Sequence, residues 1–169
     1  MNKWTKAIGA GLVAALLMFA IMMVGIHVTG IAPFNMPPSA AFLEVLGLNI
    51  GPLPLLAHFG YGAFWSAVLV GVYDDSVDIK KGLALGGGLW LFMMVVYSPV
   101  IGWGLFGLAG TPDLAKDAAL YLEAGPKYAV MTLLLHALYG VVVGKLDEVW
   151  IGGGTESREA SDAQPELAA

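Results

Sequence analysis

The chain has 169 residues, 58% of them hydrophobic and 12% charged, with a formal net charge of −5 and a mean hydropathy of +0.77. A soluble domain carries about 25% charged residues, so the composition points to a membrane protein, and the length allows one bundle without a second soluble domain. With no cysteine, disulfides, thiolate metal sites, iron–sulfur clusters and haem attached through C-x-x-C-H are excluded, and no basic patch offers a surface for nucleic acid.

Uncharged stretches of about 20 residues define four expected spans. The first runs from about Ala7 to Val28, behind Lys3, Trp4 and Lys6. Its charged start resembles a signal peptide, but its apolar run is longer than a usual leader and no small-residue cleavage site follows. The second runs from about Pro52 to Tyr73 and stops at Asp74 and Asp75. The third begins after Lys80 and Lys81 and reaches about Trp103. The fourth runs from about Tyr128 to Gly144 and meets Lys145, Asp147 and Glu148.

Positive charge near span ends sets orientation. Lys3, Lys6, Lys80, Lys81, Lys145 and Arg158 fall on one side, Lys116 and Lys127 on the other. Both termini are therefore expected in the cytoplasm, in a cell (inner) membrane. Trp4, Tyr73, Trp103, Tyr128 and Trp150 fall near the interfaces, where amphipathic rings are favoured.

The spans form two related hairpins. Gly11-Leu12 aligns with Gly82-Leu83, which sets Phe19 on Trp90 and Met22-Met23-Val24 on Met93-Met94-Val95 at an offset of 71 residues. Further on, Ala40-Ala41-Phe42-Leu43 aligns with Ala118-Ala119-Leu120-Tyr121, and His58-Phe59-Gly60-Tyr61-Gly62 with His136-Ala137-Leu138-Tyr139-Gly140, at an offset of 78. One insertion within Gly104 to Gly110 explains the change. The expected fold is an all-α integral membrane bundle of four transmembrane helices, built from two parallel-repeat hairpins (about 6–75 and 79–150) around a pseudo-two-fold axis along the membrane normal.

Each hairpin is expected to carry a short interfacial helix in its outer connection. Pro37-Pro38-Ser39 offers a proline start and a capping hydroxyl to the first, and Thr111-Pro112-Asp113 offers the same to the second. Leu114, Leu120 and Tyr121 set against Lys116, Asp117 and Glu123 fit a segment lying on the membrane surface. Small residues four apart (Gly11 and Ala15, Gly62 and Ser66, Gly82 and Gly86, Gly140 and Gly144) let helices approach closely where lipid gives no hydrophobic drive. Residues 151–169 read as a disordered acidic cytoplasmic tail.

All three histidines lie within or at the ends of spans, where ionisable groups raise a functional question. His58 and His136 sit about six residues inside their spans, roughly 9 Å deep, and His27 is nearer the outer surface. Tyr61 and Gly62 follow His58 on the same helix side, as Tyr139 and Gly140 follow His136. Tyr97, Ser98, Met131 and His27 are expected near this layer. Three roles compete: interhelical hydrogen bonding; a haem b or transition-metal site using the histidine pair; and a proton or small-solute path lined by His58, Tyr61, His136 and Tyr139. Nothing pairs a base with a nucleophile and no phosphate loop occurs, so no enzyme is expected.

Met18, Met22, Met23, Met93, Met94 and Met131 read first as packing material. The adjacent pairs cannot share one face, which leaves copper as the lesser reading. Glu44 reads as a water-facing acid, and Asp74, Asp75, Asp78, Lys80 and Lys81 as a solvated turn.

Gly11-Leu12-Val13-Ala14, Pro37-Pro38-Ser39-Ala40-Ala41-Phe42 and His58-x-x-Tyr61-Gly62 together resemble a family of uncharacterised small four-span prokaryotic membrane proteins, over roughly residues 6 to 145. The resemblance implies a four-span membrane protein and no activity. A small non-catalytic subunit or binding protein is expected, embedded in the lipid bilayer, with a larger membrane complex or a homo-oligomer as its setting.

Overall fold

The computed structural model describes residues 2–152. The expected tail from 153 onward, including Arg158, lies outside the described residues. Among the described residues the protein is helical, and the only β pairing is an isolated bridge between Phe34 and Leu122. Four helices are long and apolar enough to cross a membrane: Lys3–His27, Leu53–Ser76, Ile79–Ile101 and Lys127–Gly152, with mean hydropathies of 2.5, 1.5, 1.7 and 1.7. The chain is therefore a multi-pass membrane protein.

Helix α1 (Lys3–His27) starts where the Asn2 side chain accepts a hydrogen bond from Thr5 N at 2.9 Å, which satisfies one of the free amides of the first turn. Its buried positions, Ala7, Ala10, Gly11, Ala14, Ala15, Met22 and Gly25, follow helical spacing and turn one face to the bundle. Helix α2 (Pro38–Val45) has proline at its start, where the missing amide costs nothing. The expected capping bond is not made by Ser39, because Pro37 is the cap residue and no side chain caps the helix. Helix α3 (Leu53–Tyr73) ends where Asp74 turns to a φ of 52°.

Helix α4 (Ile79–Phe92) is capped by Asp78, which accepts from Lys81 N at 2.8 Å. It runs without a break into a π turn, Met93–Tyr97, and then α5 (Ser98–Ile101). Pro99 has no amide to offer the carbonyls one turn back, and Ser98 bonds to Met93 O with both its amide and its hydroxyl. Such π turns absorb an interrupted ladder without breaking the helix. Helix α6 (Lys127–Asp147) passes into a second π turn, Glu148–Gly152, so helix continues two residues into the segment expected to be tail.

Helix α1 packs on α3 and α4 on α6, and α1 also lies along α6, whereas α3 and α4 scarcely touch. The small residues named from sequence make the two hairpin contacts. A methyl group on Gly11 would reach to 2.5 Å from the Gly62 carbonyl oxygen, and one on Gly62 would meet Ala15 Cβ at 2.8 Å. Gly82 lies directly against the Gly140 carbonyl, Gly86 against that of His136, and Gly144 against the backbone of Asp78 and Ile79.

The connection between the third and fourth spans differs from expectation. Residues 111–124 form successive turns and hold no helix. Tertiary bonds occupy the backbone groups a helix would need. Asn35 Nδ2 donates to the carbonyls of Lys116 and Ala118 at 2.8 Å each, Leu122 N donates to Thr111 Oγ1 at 2.7 Å, and Glu123 N donates to Pro33 O at 2.8 Å. The two connections thereby clasp one another. Beneath them Phe34, Trp103, Leu122 and Tyr128 are fully buried, with Tyr128 edge-on to Phe34 and Trp103 at 5.8 and 5.3 Å. A second core at the opposite end holds Ala7, Leu69, Val70 and Val143.

Candidate functional site

Between the two cores lies a cavity of about 220 Å³, with walls from α1, α2, α3, α6 and the α4 π turn. Its lining is mostly apolar and carries no Asp, Glu, Lys or Arg. Four of the five expected site residues, His58, His136, Tyr61 and Tyr139, line it together. The fifth, His27, does not. It is the last residue of α1 and is exposed, because α1 is long enough to carry it past the layer of the other two. Tyr97 lines the cavity as expected, whereas Ser98 and Met131 do not. Ser98 Oγ instead pairs with the Tyr128 hydroxyl at 3.2 Å.

The two histidines are held differently. His58 Nε2 donates to the Ala15 carbonyl of α1 at 3.1 Å. His136 Nδ1 donates to the carbonyl of Thr132, one turn earlier in its own helix, at 2.8 Å. A carbonyl oxygen only accepts, so each of these nitrogens carries the hydrogen. In each uncharged ring the other nitrogen, Nδ1 of His58 and Nε2 of His136, keeps a lone pair. Helix fit fixes the difference: Ala15 presents its carbonyl to α3 in the Gly11–Gly62 contact, whereas His136 O abuts Gly86 and its ring turns back along α6.

The tyrosines differ too. Tyr139 is buried and donates to the Gly62 carbonyl at 2.6 Å, tying α6 to α3 and closing the cavity on the side of the second core. Tyr61 stands edge-on to Trp65 at 6.0 Å. Tyr97 is stacked on Phe42 of α2 at 4.2 Å, so the aromatic pair roofs the cavity between α2 and the π turn.

A buried acid was not foreseen. Asp147, taken from sequence as part of the charged end of the fourth span, is 1% exposed. Its Oδ2 faces Ser66 Oγ at 3.3 Å, Ser66 also donates to Ala7 O at 2.7 Å, and Asp147 Oδ1 has no partner. The small side chain of Ser66, paired in sequence with Gly62, was the available hint.

Among the described residues no three His, Asp or Glu side chains cluster to hold a metal ion. Haem b does not fit the pair. Axial ligation through Nε2 of both rings would require His58 to break its bond to Ala15, and about 220 Å³ falls below the roughly 300–1,000 Å³ of ordinary ligand pockets.

Fold and site together define a helical multi-pass membrane protein with a histidine-lined cavity between its spans. Comparison with protein-family models, curated proteins and solved structures gave no match.

Proposed function

We propose that this protein is a non-catalytic membrane binding protein that holds a small ligand through His58 and His136. The observation that carries the reading is the paired anchoring. Each ring spends one nitrogen on a backbone carbonyl, and both histidines line the same apolar cavity. The second nitrogen of each ring is not committed to a hydrogen bond, which leaves a neutral imidazole donor available to a ligand. A ligand that accepts electron pairs would use both rings.

The proposed setting is a cell membrane with both termini in the cytoplasm, since Lys3, Lys6, Lys80, Lys81 and Lys145 gather at one end of the bundle. The cavity then lies in the outer half, under α2 as an interfacial helix. The repeat is supported by the equivalent glycine contacts, Gly11 with Gly62 and Gly82 with Gly140. The unequal histidine bonds mark where the halves have diverged. The likeness to the small four-span prokaryotic proteins and a place within a larger complex or homo-oligomer belong to the same proposal. Permeation has weaker support, because Tyr139, Leu69, Val70 and Val143 fill the bundle between the cavity and Asp147.

Native mass spectrometry of protein released from its own membrane tests the reading. The wild type should carry a bound species that His58→Ala/His136→Ala lacks. Identical spectra for the two would overturn it.

A further inference from the structure

Resting on that binding reading, we infer that the ligand is a soft monovalent metal ion, Cu(I). Three of the eight methionines of the chain, Met18, Met22 and Met93, line the cavity with His58 and His136. Met18 and Met22 are one turn apart on the same face of α1, and Met93 opens the π turn of the third span. Only one member of each adjacent pair reaches the cavity. Met22, Met93 and Met94 all belong to one buried cluster, with Met18 and Met23 packed against it, but only Met18, Met22 and Met93 also line the cavity, so the pairing that weakened a copper reading in the sequence does not apply to the folded chain.

The donor set selects the ion. Thioethers are soft ligands that favour Cu(I), and imidazole nitrogen suits copper as well. Every donor is neutral, and no carboxylate lines the site. A divalent ion would bring two charges into low dielectric with no anionic ligand to offset them. A monovalent ion brings one. Hard cations are excluded by the shortage of oxygen donors. A π turn placed at the Met93 donor fits the frequent use of such turns at binding sites.

The test uses the full chain in phosphatidylethanolamine–phosphatidylglycerol nanodiscs, titrated anaerobically with Cu(I) against the chelator bathocuproine disulfonate. The expected result is one Cu(I) per chain, with sulfur and nitrogen neighbours in copper-edge X-ray absorption. Met22→Leu/Met93→Leu nearly conserves volume and should keep the wild-type melting temperature while weakening Cu(I) by more than the roughly 10–100-fold that a lost outer-shell partner costs. Retention of all copper by the chelator, or equal copper binding by wild type and variant, would overturn the assignment. If the histidine-dependent species persists in native mass spectra while Cu(I) is refused, only the copper identity falls. If both are missing, the binding reading falls with it.

Discussion

Tyr139 donates its hydroxyl to the Gly62 carbonyl at 2.6 Å, joining the last span to the second across the floor of the cavity. Few other polar bonds cross between the hairpins at this depth. In Tyr139→Phe the ring stays and only the bond is lost. Stability should fall by about 0.6 kcal/mol and at most roughly 1.7 kcal/mol, the range for such bonds between membrane helices. Unfolding in mixed micelles measures it, and an unchanged unfolding midpoint would show that the bond carries no net stability.

The glycines of the third span separate close packing from mere flexibility. In Gly82→Ala the new methyl would run into the Gly140 carbonyl, whereas one at Gly87 meets nothing within 4 Å. Gly82→Ala should cost about 1–3 kcal/mol, as overpacking does, and Gly87→Ala should be near neutral. Equal effects at the two positions would contradict the α4–α6 contact described above.

Asp78 links stability to pH. The hydrogen bond from Lys81 N, aided by the Lys81 charge, holds its carboxyl below the usual range. A carboxyl depressed by folding stabilises the fold above its unfolded value, and that contribution is lost as pH falls through the folded one. Melting temperature should drop more between neutral and acid pH for the wild type than for Asp78→Asn. Parallel pH profiles would show that the cap does not titrate with folding.

Much of this architecture was legible because lipid imposes it. A run without charge has few fates, so the four spans followed from composition, and the small residues of close approach from their spacing, although which helix meets which (Gly11 with Gly62, Gly82 with Gly140) came only from the structure. The cavity lining was legible in part: His58, Tyr61, His136 and Tyr139, singled out by their spacing, line one cavity. What failed was set by tertiary partners. Thr111-Pro112-Asp113 is a sound local helix start, but Asn35, 81 residues from Lys116, claims the carbonyls that the helix needed. His27 was placed by span length alone, and α1 carries it out of the layer. Asp147 read as an end charge because nothing local shows that Ser66, 81 residues away, meets it. Met22 and Met93 were masked by their neighbours, since adjacency says that two side chains diverge but not which one turns inward.

Nitrogen-15 NMR of histidine-labelled protein in bilayers is the most direct check on the paired lone pairs, with only three histidines to resolve and His27→Gln to assign the exposed one. His58 should show its hydrogen on Nε2 and His136 on Nδ1. The remaining nitrogen of each should shift on loading with Cu(I). Opposite tautomers, or a His136 ring as open to water as His27, would contradict the site.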